Sequence, residues 1–302
     1  MDRDDYLLLA FLAGLWGASF LFIKIAVQDI PPISMVFLRC LAAALGLAVY
    51  MRLTGVGLRD AARKWKAGLV VGVLNAALPY VLIATSEKYI DSSLAGVLNA
   101  TAPLWTALIA PLFAGAERLH ARQGIGLALG FAGVVILARP SGSLFNSSFL
   151  SVVAIIAATL SYAVATHYSK RAFQHVSPAV PAFLQCATAT VVLAPLLLVA
   201  HPSHMPSIGA LAATLWLGLG ATGLAMVISF RLIQKVGAGR TIVVTYLIPP
   251  SALLWGFVFL HERPAPAVFV ALVLILGGVY FITHRAAPSR AAAIEEGAVV
   301  EV

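Results

Sequence analysis

The sequence repeats itself at an offset of 146 residues, the difference between Lys24 and Lys170. An aromatic residue stands eight positions before each lysine, Trp16 in the first copy and Tyr162 in the second. Internal repeats of apolar helices are the architecture of many secondary transporters, in which the substrate site lies where the repeats meet. Further pairs at this offset are Pro32 and Pro178, Phe37 and Phe183, Cys40 and Cys186, Gly72 and Gly218, and Pro103 and Pro249.

Composition places these repeats in a membrane. Of the 302 residues, 61% are hydrophobic and only 11% are charged, whereas a soluble domain is about a quarter charged. The net charge of +8 fits a membrane protein that collects Lys and Arg in its cytoplasmic loops, so nucleic acid is not expected as a partner. Two cysteines provide no disulfide framework. The first apolar run lacks the pattern of a cleaved signal peptide and is expected to be retained.

A spanning helix needs about 20 mostly apolar residues, and the sequence predicts ten such segments in an all-α polytopic membrane protein. Five belong to a first repeat, residues 1–139, and five to a second repeat, residues 149–284. The tail, residues 285–302, is polar and rich in alanine and is expected to be disordered. The predicted spans are 6–26, 33–52, 67–86, 94–115, 121–139, 149–169, 179–200, 208–230, 239–260 and 265–284.

The distribution of basic residues predicts the orientation. With the N-terminus inside, the Lys and Arg residues of the loops fall on the inner side except for Lys88, Arg139 and Arg263. Such an asymmetry predicts that both termini are cytoplasmic. Because each repeat holds an odd number of spans, the second must enter the membrane inverted relative to the first. We therefore expect a 5+5 inverted-topology repeat in the cell inner (plasma) membrane.

Several short motifs occur in both halves. Trp16-Gly17-Ala18-Ser19-Phe20 is followed by Lys24, and Phe37-Leu38-Arg39 opens the second span. Pro103 runs to Glu117-Arg118, and Pro249 runs to Glu262-Arg263. In these motifs the chain, from about residue 8 to 284, resembles the EamA-like branch of the drug/metabolite transporter superfamily. The resemblance implies a ten-helix transporter of small organic molecules, often an exporter of amino acids or other amphipathic metabolites.

Arg39 is the most informative side chain because it lies about two turns inside the second span. Charged residues at depth are costly and usually face a cavity or a partner. Arg39 is expected to hold a substrate carboxylate or phosphate, or a gate carboxylate, and the alternative is snorkelling towards the outer surface. Snorkelling is the favoured interpretation of Lys24, near the outer end of the first span. Asp29, Glu87 and Asp91 fall on the same outer side and could pair with either cation.

Other amphipathic side chains within the spans complete the predicted substrate pathway. A binding site needs a few polar groups in an apolar cavity, although each side chain alone is more simply an interhelical contact. Pro103 and Pro249 are expected to kink two gating helices. Spans 121–139 and 265–284 have few polar side chains and are expected at the periphery. The remaining pathway residues are Trp16, Asn75, Tyr80, Asn99, Trp105, Tyr162, His167, Tyr246 and Trp255.

The acidic residues all fall at span ends, in loops or in the tails, so no midplane carboxylate is expected to relay protons. His167 lies well inside a span, and a neutral hydrogen-bonded state is the favoured interpretation.

We expect an exporter or facilitator of small amphipathic metabolites, with amino acids, aromatic ones included, favoured. The alternatives are an exporter of drugs or other metabolites with proton coupling, a lipid scramblase or a non-transporting membrane protein. Catalytic motifs are absent from the sequence, and no enzyme activity, cofactor or metal is expected. The expected partners are a small-molecule substrate and the lipid bilayer, and the choice between monomer and homodimer stays open.

Overall fold

The structure is a computed structural model that describes residues 2–113, 120–138 and 147–283. In these ranges the backbone forms helices and no strands. Eight apolar helices are long enough to cross a membrane, and two more are shorter. The chain is an integral, multi-pass membrane protein. In chain order the ten are α1 (Arg3–Ala26), α2 (Pro32–Leu53), α3 (Trp65–Ser86), α4 (Ser92–Leu112), α5 (Ala121–Leu137), α6 (Ser147–Ala172), α7 (Ala179–Leu198), α8 (Ile208–Val236), α9 (Val244–Leu260) and α10 (Pro266–Thr283).

The shorter helices are α5 and α9, with 17 residues each. Short helices at Leu58–Arg63 and Ala238–Thr241 lie in the connections before α3 and α9. The predicted disordered tail and the first Glu-Arg pair, Glu117-Arg118, lie outside the described residues. The predicted spans agree with the helices to within a few residues, except around the connection between α8 and α9.

At that connection α8 continues to Val236, six residues beyond the predicted end at 230. The added residues include three polar ones, Arg231, Gln234 and Lys235, and the Lys235 ammonium lies 2.7 Å from the buried Asp5 carboxylate of α1. Gly237 then ends the helix with a positive φ of 86°, a conformation that glycine adopts at little cost. Hydropathy placed the end of the span before these polar residues because it does not register an ion pair between helices.

Hydroxyl side chains within the helices are satisfied locally. A bilayer offers no water to unpaired polar groups, so each must find a partner inside the protein. Many serines and threonines donate to the carbonyl one turn earlier, a bond that the helix itself always offers. Such bonds run from Ser19 to Leu15, Ser86 to Leu82, Thr106 to Ala102, Thr166 to Tyr162, Thr190 to Cys186 and Thr214 to Ala210.

The helix pairings follow the sequence repeat. Helix α1 packs on α9, and its counterpart α6 packs on α4. Helix α2 packs on α8, and its counterpart α7 packs on α3. Helix α1 also packs on α8, and its counterpart α6 packs on α3. The other major contacts, α2 with α7, α4 with α9 and α5 with α10, join helices that exchange places with each other. Swapping the two halves therefore reproduces the same major neighbours.

Two equivalent glycines bring the backbones of these pairs together. A Cβ on Gly218 of α8 would lie 2.7 Å from both the Ala42 Cβ and the Arg39 carbonyl oxygen of α2. A Cβ on Gly72 of α3 would lie 3.0 Å from the amide nitrogen of Ala189 on α7. Small residues permit such close helix contacts in membranes. At each glycine the helix widens into a π-helical segment: Val73–Ala77 of α3 begins directly after Gly72, and Leu217–Leu224 of α8 includes Gly218.

We predict that Gly218→Ala destabilises the protein because the new methyl group meets backbone on the facing helix. Overpacking of this kind costs about 1–3 kcal/mol, which should lower the midpoint of thermal unfolding in detergent. Gly277→Ala on α10 is the matched control, since a Cβ there has no neighbour within 4 Å and alanine favours the helix. Equal midpoints for Gly218→Ala and wild type would contradict the close contact of α2 and α8.

Candidate functional site

A cavity of about 440 Å³ lies among α1, α2, α3, α4, α6, α8 and α9. We call it the central cavity. Its walls are mostly apolar, and a small number of polar side chains project from them, as in a typical small-molecule site. The predicted pathway residues that line it are Trp16, Arg39, Asn75, Tyr80, Asn99 and Tyr162.

Most of the wall of the central cavity is built from repeat pairs. Residues separated by the 146-residue offset face the same space from opposite halves of the chain, so the cavity lies where the two repeats meet. This is the position that substrate sites take in transporters with internal repeats. The pairs are Trp16 and Tyr162, Phe20 and Thr166, Asn75 and Ala221, Tyr80 and Met226, and Asn99 and Thr245.

Arg39 projects from α2 and is 6% exposed. Its Nε donates to the Thr222 Oγ1, 3.1 Å away in the π-helical segment of α8. The guanidinium carbon lies 4.0 Å from the centre of the Tyr80 ring, a cation–π contact that contributes about 2 kcal/mol when the cation is desolvated. Among the described residues no carboxylate lies within 4 Å of Arg39. The charge is therefore buried against an aromatic face, and no acidic side chain neutralises it.

Gln185 of α7 occupies the position equivalent to Arg39. Its Oε1 accepts a hydrogen bond of 2.6 Å from the Asn75 amide, which belongs to the π-helical segment of α3. Its amide nitrogen lies 3.4 Å from the Met226 sulfur. Each half thus directs one polar side chain of its second helix into the π-helical segment of the other half. Such segments are frequent at functional sites.

A second cavity of about 530 Å³ adjoins the first. The two share a wall that includes Asn99, Tyr162 and Thr245. The second cavity extends to Lys170 at the end of α6. No residue of α5 lines either cavity, as expected, but the last turns of α10 line the second one.

His167 lines this second cavity. Its Nε2 donates to the Thr106 carbonyl at 2.9 Å, since a carbonyl oxygen can only accept. The imidazole also stacks on Phe113, with ring centroids 4.5 Å apart. The expected hydrogen-bonded histidine is therefore present, with a backbone partner that the sequence did not identify.

The two equivalent prolines also line the second cavity, but their helices differ. Helix α4 breaks at Ala100–Thr101, and its next segment begins at Ala102, directly before Pro103. Thr101 is fully buried; its hydroxyl donates to the Leu98 carbonyl at 2.8 Å and lies 3.1 Å from the Thr159 hydroxyl of α6. Helix α9 runs without interruption through Pro249. The two halves therefore differ at the equivalent prolines: α4 is broken beside Pro103, and α9 continues through Pro249.

Lys24 stays outside both cavities and does not reach towards solvent. Its ammonium donates to the carbonyls of Glu87 and Ile90, at 2.6 and 2.8 Å, where the backbone turns between α3 and α4. The ammonium therefore holds the end of α1 to that turn. Asp29 accepts from the Ser207 amide instead, and this hydrogen bond lowers the pKa of the Asp29 carboxyl.

Three other predicted pathway residues pack elsewhere. Trp105 contacts Phe131 of α5, with centroids 4.8 Å apart. Tyr246 forms a hydroxyl–hydroxyl hydrogen bond with Thr283. Trp255 donates to the Gly14 carbonyl at 3.2 Å and lines an apolar groove of about 880 Å³ on the side of the bundle.

The second Glu-Arg signature carries a structural role that its motif did not reveal. The Glu262 carboxylate accepts hydrogen bonds from the amides of Ser92 and Ser93, at 2.8 and 3.0 Å, and from the Ser93 hydroxyl. These are the first amides of α4, where a negative charge is stabilising. Glu262 of the second half therefore caps a helix of the first half.

Sequence reasoning missed part of the cavity wall. Thr166, Met226 and Thr245 line the central cavity, and each is the repeat mate of a residue that also lines it. Two of those mates, Tyr80 and Asn99, were predicted pathway residues, so the offset itself would have found Met226 and Thr245. Thr222 carried no such signal, because its role depends on the π-helical backbone of α8.

Comparison with known proteins agrees with this arrangement. Residues 6–139 and 149–284 each match the EamA-like transporter family. The chain belongs to this family. Transport is accordingly its general role, and the members to which it is similar are named as transporters, which are not enzymes.

Three matches show which known proteins this chain is similar to. An uncharacterized transporter of Archaeoglobus fulgidus is 24% identical over 287 residues, covering 93% of this chain and 99% of its own. A probable terminal-alkyne amino-acid exporter of Streptantibioticus cattleyicolor is 26% identical, covering 89% of this chain and 90% of its own. One crystal structure superposes with a TM-score of 0.66 at 21% identity over 94% of this chain and 98% of that one, which supports the fold alone.

Proposed function

We propose that this protein is a secondary transporter that exports small amphipathic carboxylates, amino acids foremost, through the central cavity. The observation that carries the proposal is a buried, unneutralised Arg39 in a cavity whose wall consists of repeat pairs. A carboxylate would fit the guanidinium with two parallel hydrogen bonds. Similarity to a protein named as a probable amino-acid exporter favours the same substrate class.

The aromatic lining adds to this proposal. Trp16, Tyr80 and Tyr162 surround the same space as Arg39, so an apolar or aromatic side chain of the substrate would be enclosed while its carboxylate faces the cation. The lateral groove beside Trp255 is apolar and offers no polar path for a lipid headgroup. The contacts of the bundle therefore favour a small-molecule transporter over a scramblase.

The topology is part of the proposal. We infer that all ten helices cross the plasma membrane in two five-helix repeats, residues 1–139 and 149–284, inverted relative to each other with both termini in the cytoplasm. The exchange-related helix pairs and the asymmetry of basic loop residues support this arrangement. In it the Lys170 end of the second cavity faces the cytoplasm, and Lys24 lies near the outer surface.

We predict that Arg39→Ala nearly abolishes transport and that Arg39→Lys impairs it. Lysine keeps the charge but loses the planar fork that holds a carboxylate. The measurement is counterflow of labelled amino acids, aromatic ones included, into proteoliposomes, with folding checked by size-exclusion chromatography. Lys66→Ala, which removes an exposed charge outside the cavities, is the matched control. Wild-type flux in Arg39→Ala would remove Arg39 from the site.

We also predict that a pH gradient alone does not drive uphill accumulation of the substrate. Among the residues that the structure describes, no acidic side chain lines the two cavities, so none of their carboxylates can exchange a proton for a substrate there. The test measures steady-state accumulation in proteoliposomes with and without an imposed pH gradient. Concentrative uptake in wild type that His167→Gln abolishes would contradict this mechanism and assign proton exchange to His167.

A further inference from the structure

Glu87 is a buried carboxylic side chain that none of the contacts described above uses. It lies where the backbone leaves α3, and it is 0% exposed. Within the described ranges no hydrogen-bond donor reaches either of its carboxyl oxygens, and no cation lies within 4 Å of them. A buried carboxylate normally needs several donors, as Glu262 has. The surroundings of Glu87 therefore do not stabilise an ionised carboxylate.

The charged groups around Glu87 come from four segments. Lys24 approaches from α1, Arg39 from α2, and Glu262 from the segment after α9. Asp91 lies in the same turn as Glu87 and is exposed. The described start of α6 contributes the Ser151 carbonyl, which accepts from the Ser86 hydroxyl, and brings no charge.

Lys24 is the natural counter-ion for Glu87, yet its ammonium is engaged by two backbone carbonyls, one of them that of Glu87 itself. Burial raises the pKa of the Glu87 carboxyl well above its usual value; Lys24 opposes this shift, and the nearby Glu262 adds to it. Geometry and electrostatics thus favour the neutral acid in this conformation.

We propose that Glu87 is a proton-binding site that latches the Lys24 end of the transport pathway. With the proton bound, the neutral side chain stays buried and Lys24 ties α1 to the turn between α3 and α4. On release of the proton to water, the carboxylate needs solvent or the Lys24 ammonium. Either requirement separates Lys24 from the carbonyls of Glu87 and Ile90 and loosens the turn.

The contact between Lys24 and the turn after α3, which forms the latch, lies next to residues of the central cavity. Ile23 and Ile83 line the central cavity, and they precede Lys24 and Glu87 by one residue and by one helical turn. Release of the latch would therefore move two apolar side chains that line the cavity. A proton fits better than a metal ion, because Glu87 lines none of the cavities described above and the described residues form no cluster of three metal-ligating side chains.

The sign of the pH dependence follows from linkage. Glu87 binds its proton more tightly when the Lys24 end is closed than when it is open. The closed state is therefore favoured at low pH and is lost as the pH rises through the raised pKa of Glu87. One proton allows a change of at most about tenfold per pH unit in the ratio of open to closed. The proton shifts the equilibrium between the open and closed states but does not by itself drive transport. The latch is therefore compatible with the proposed facilitator.

Protonation can be observed directly by infrared spectroscopy of the purified protein at neutral pH. We expect the carbonyl stretch of a protonated carboxylic acid in wild type, its loss in Glu87→Gln and its retention in Asp91→Asn, the matched control in the same turn. Glu87→Asp should shift this band instead of removing it. A Glu87→Gln spectrum that matches the wild-type spectrum would overturn the proton site. The measurement does not depend on any transported substrate.

Gating is tested with a cysteine at Ile83 in a background of Cys40→Ala and Cys186→Ala. An impermeant thiol reagent should label Ile83→Cys faster as the pH rises. Cysteine itself reacts faster at high pH, so the same cysteine in a Glu87→Gln protein is the control and should show a weaker pH dependence. Identical pH profiles in the two backgrounds would overturn the latch.

This experiment also separates the latch from the proposed orientation. It is run in intact cells and in inverted membrane vesicles. A pH-dependent difference between the two backgrounds in cells supports both the latch and an outward Lys24 end. The same difference in inverted vesicles alone supports the latch and contradicts the orientation.

Discussion

The close approach of α2 to α8, and of α7 to α3, determines how the rest of the bundle is arranged. Gly218 allows the backbone of α8 to touch that of α2 at Arg39, and Gly72 allows the equivalent contact of α3 with α7. Because lipid is as apolar as the protein interior, close packing replaces the hydrophobic effect as the force that joins helices in a membrane. These contacts also bring Arg39 and Gln185 against the π-helical segments, whose widened turns supply Thr222 and Asn75 as partners.

The fold could be predicted from the sequence further than the site could. The repeat offset and the hydropathy located the apolar helices that the structure describes, since both depend on chain-wide patterns. The sequence did not identify which face of each helix points into the bundle. A helix that is apolar all round gives no amphipathic signal, so Trp105 and Trp255 looked equivalent to Trp16, although only Trp16 lines the central cavity. Arg39 was identified because charge is rare at depth, whereas Glu87 was not, because the sequence alone placed it at a span end, where exposure is the usual expectation.

Arg39 and Glu87 show two ways to keep an ionisable group inside a bundle of low polarity. A guanidinium cannot lose its proton under ordinary conditions, so Arg39 keeps its charge and is stabilised by the Tyr80 ring and the Thr222 hydroxyl. A carboxyl group can become neutral instead, which removes the cost of burial without any partner. In the part of the chain that the structure describes, no carboxylate lies within 4 Å of Arg39. This suits the proposed function, because a permanent acidic partner would compete with an anionic substrate for the guanidinium.

Two departures from the internal symmetry involve residues that line the cavities. The second helix of one half carries Arg39 and that of the other half carries Gln185, and the two prolines lie in a broken α4 and a continuous α9. Two identical halves would give a cavity without a preferred direction for a polar substrate. In the proposed function, the single cation on one wall defines where a substrate carboxylate lies, and the aromatic pair of Trp16 and Tyr162 leaves the remainder of the space permissive. On this proposal the repeat supplies the cavity, and its substitutions supply the selectivity.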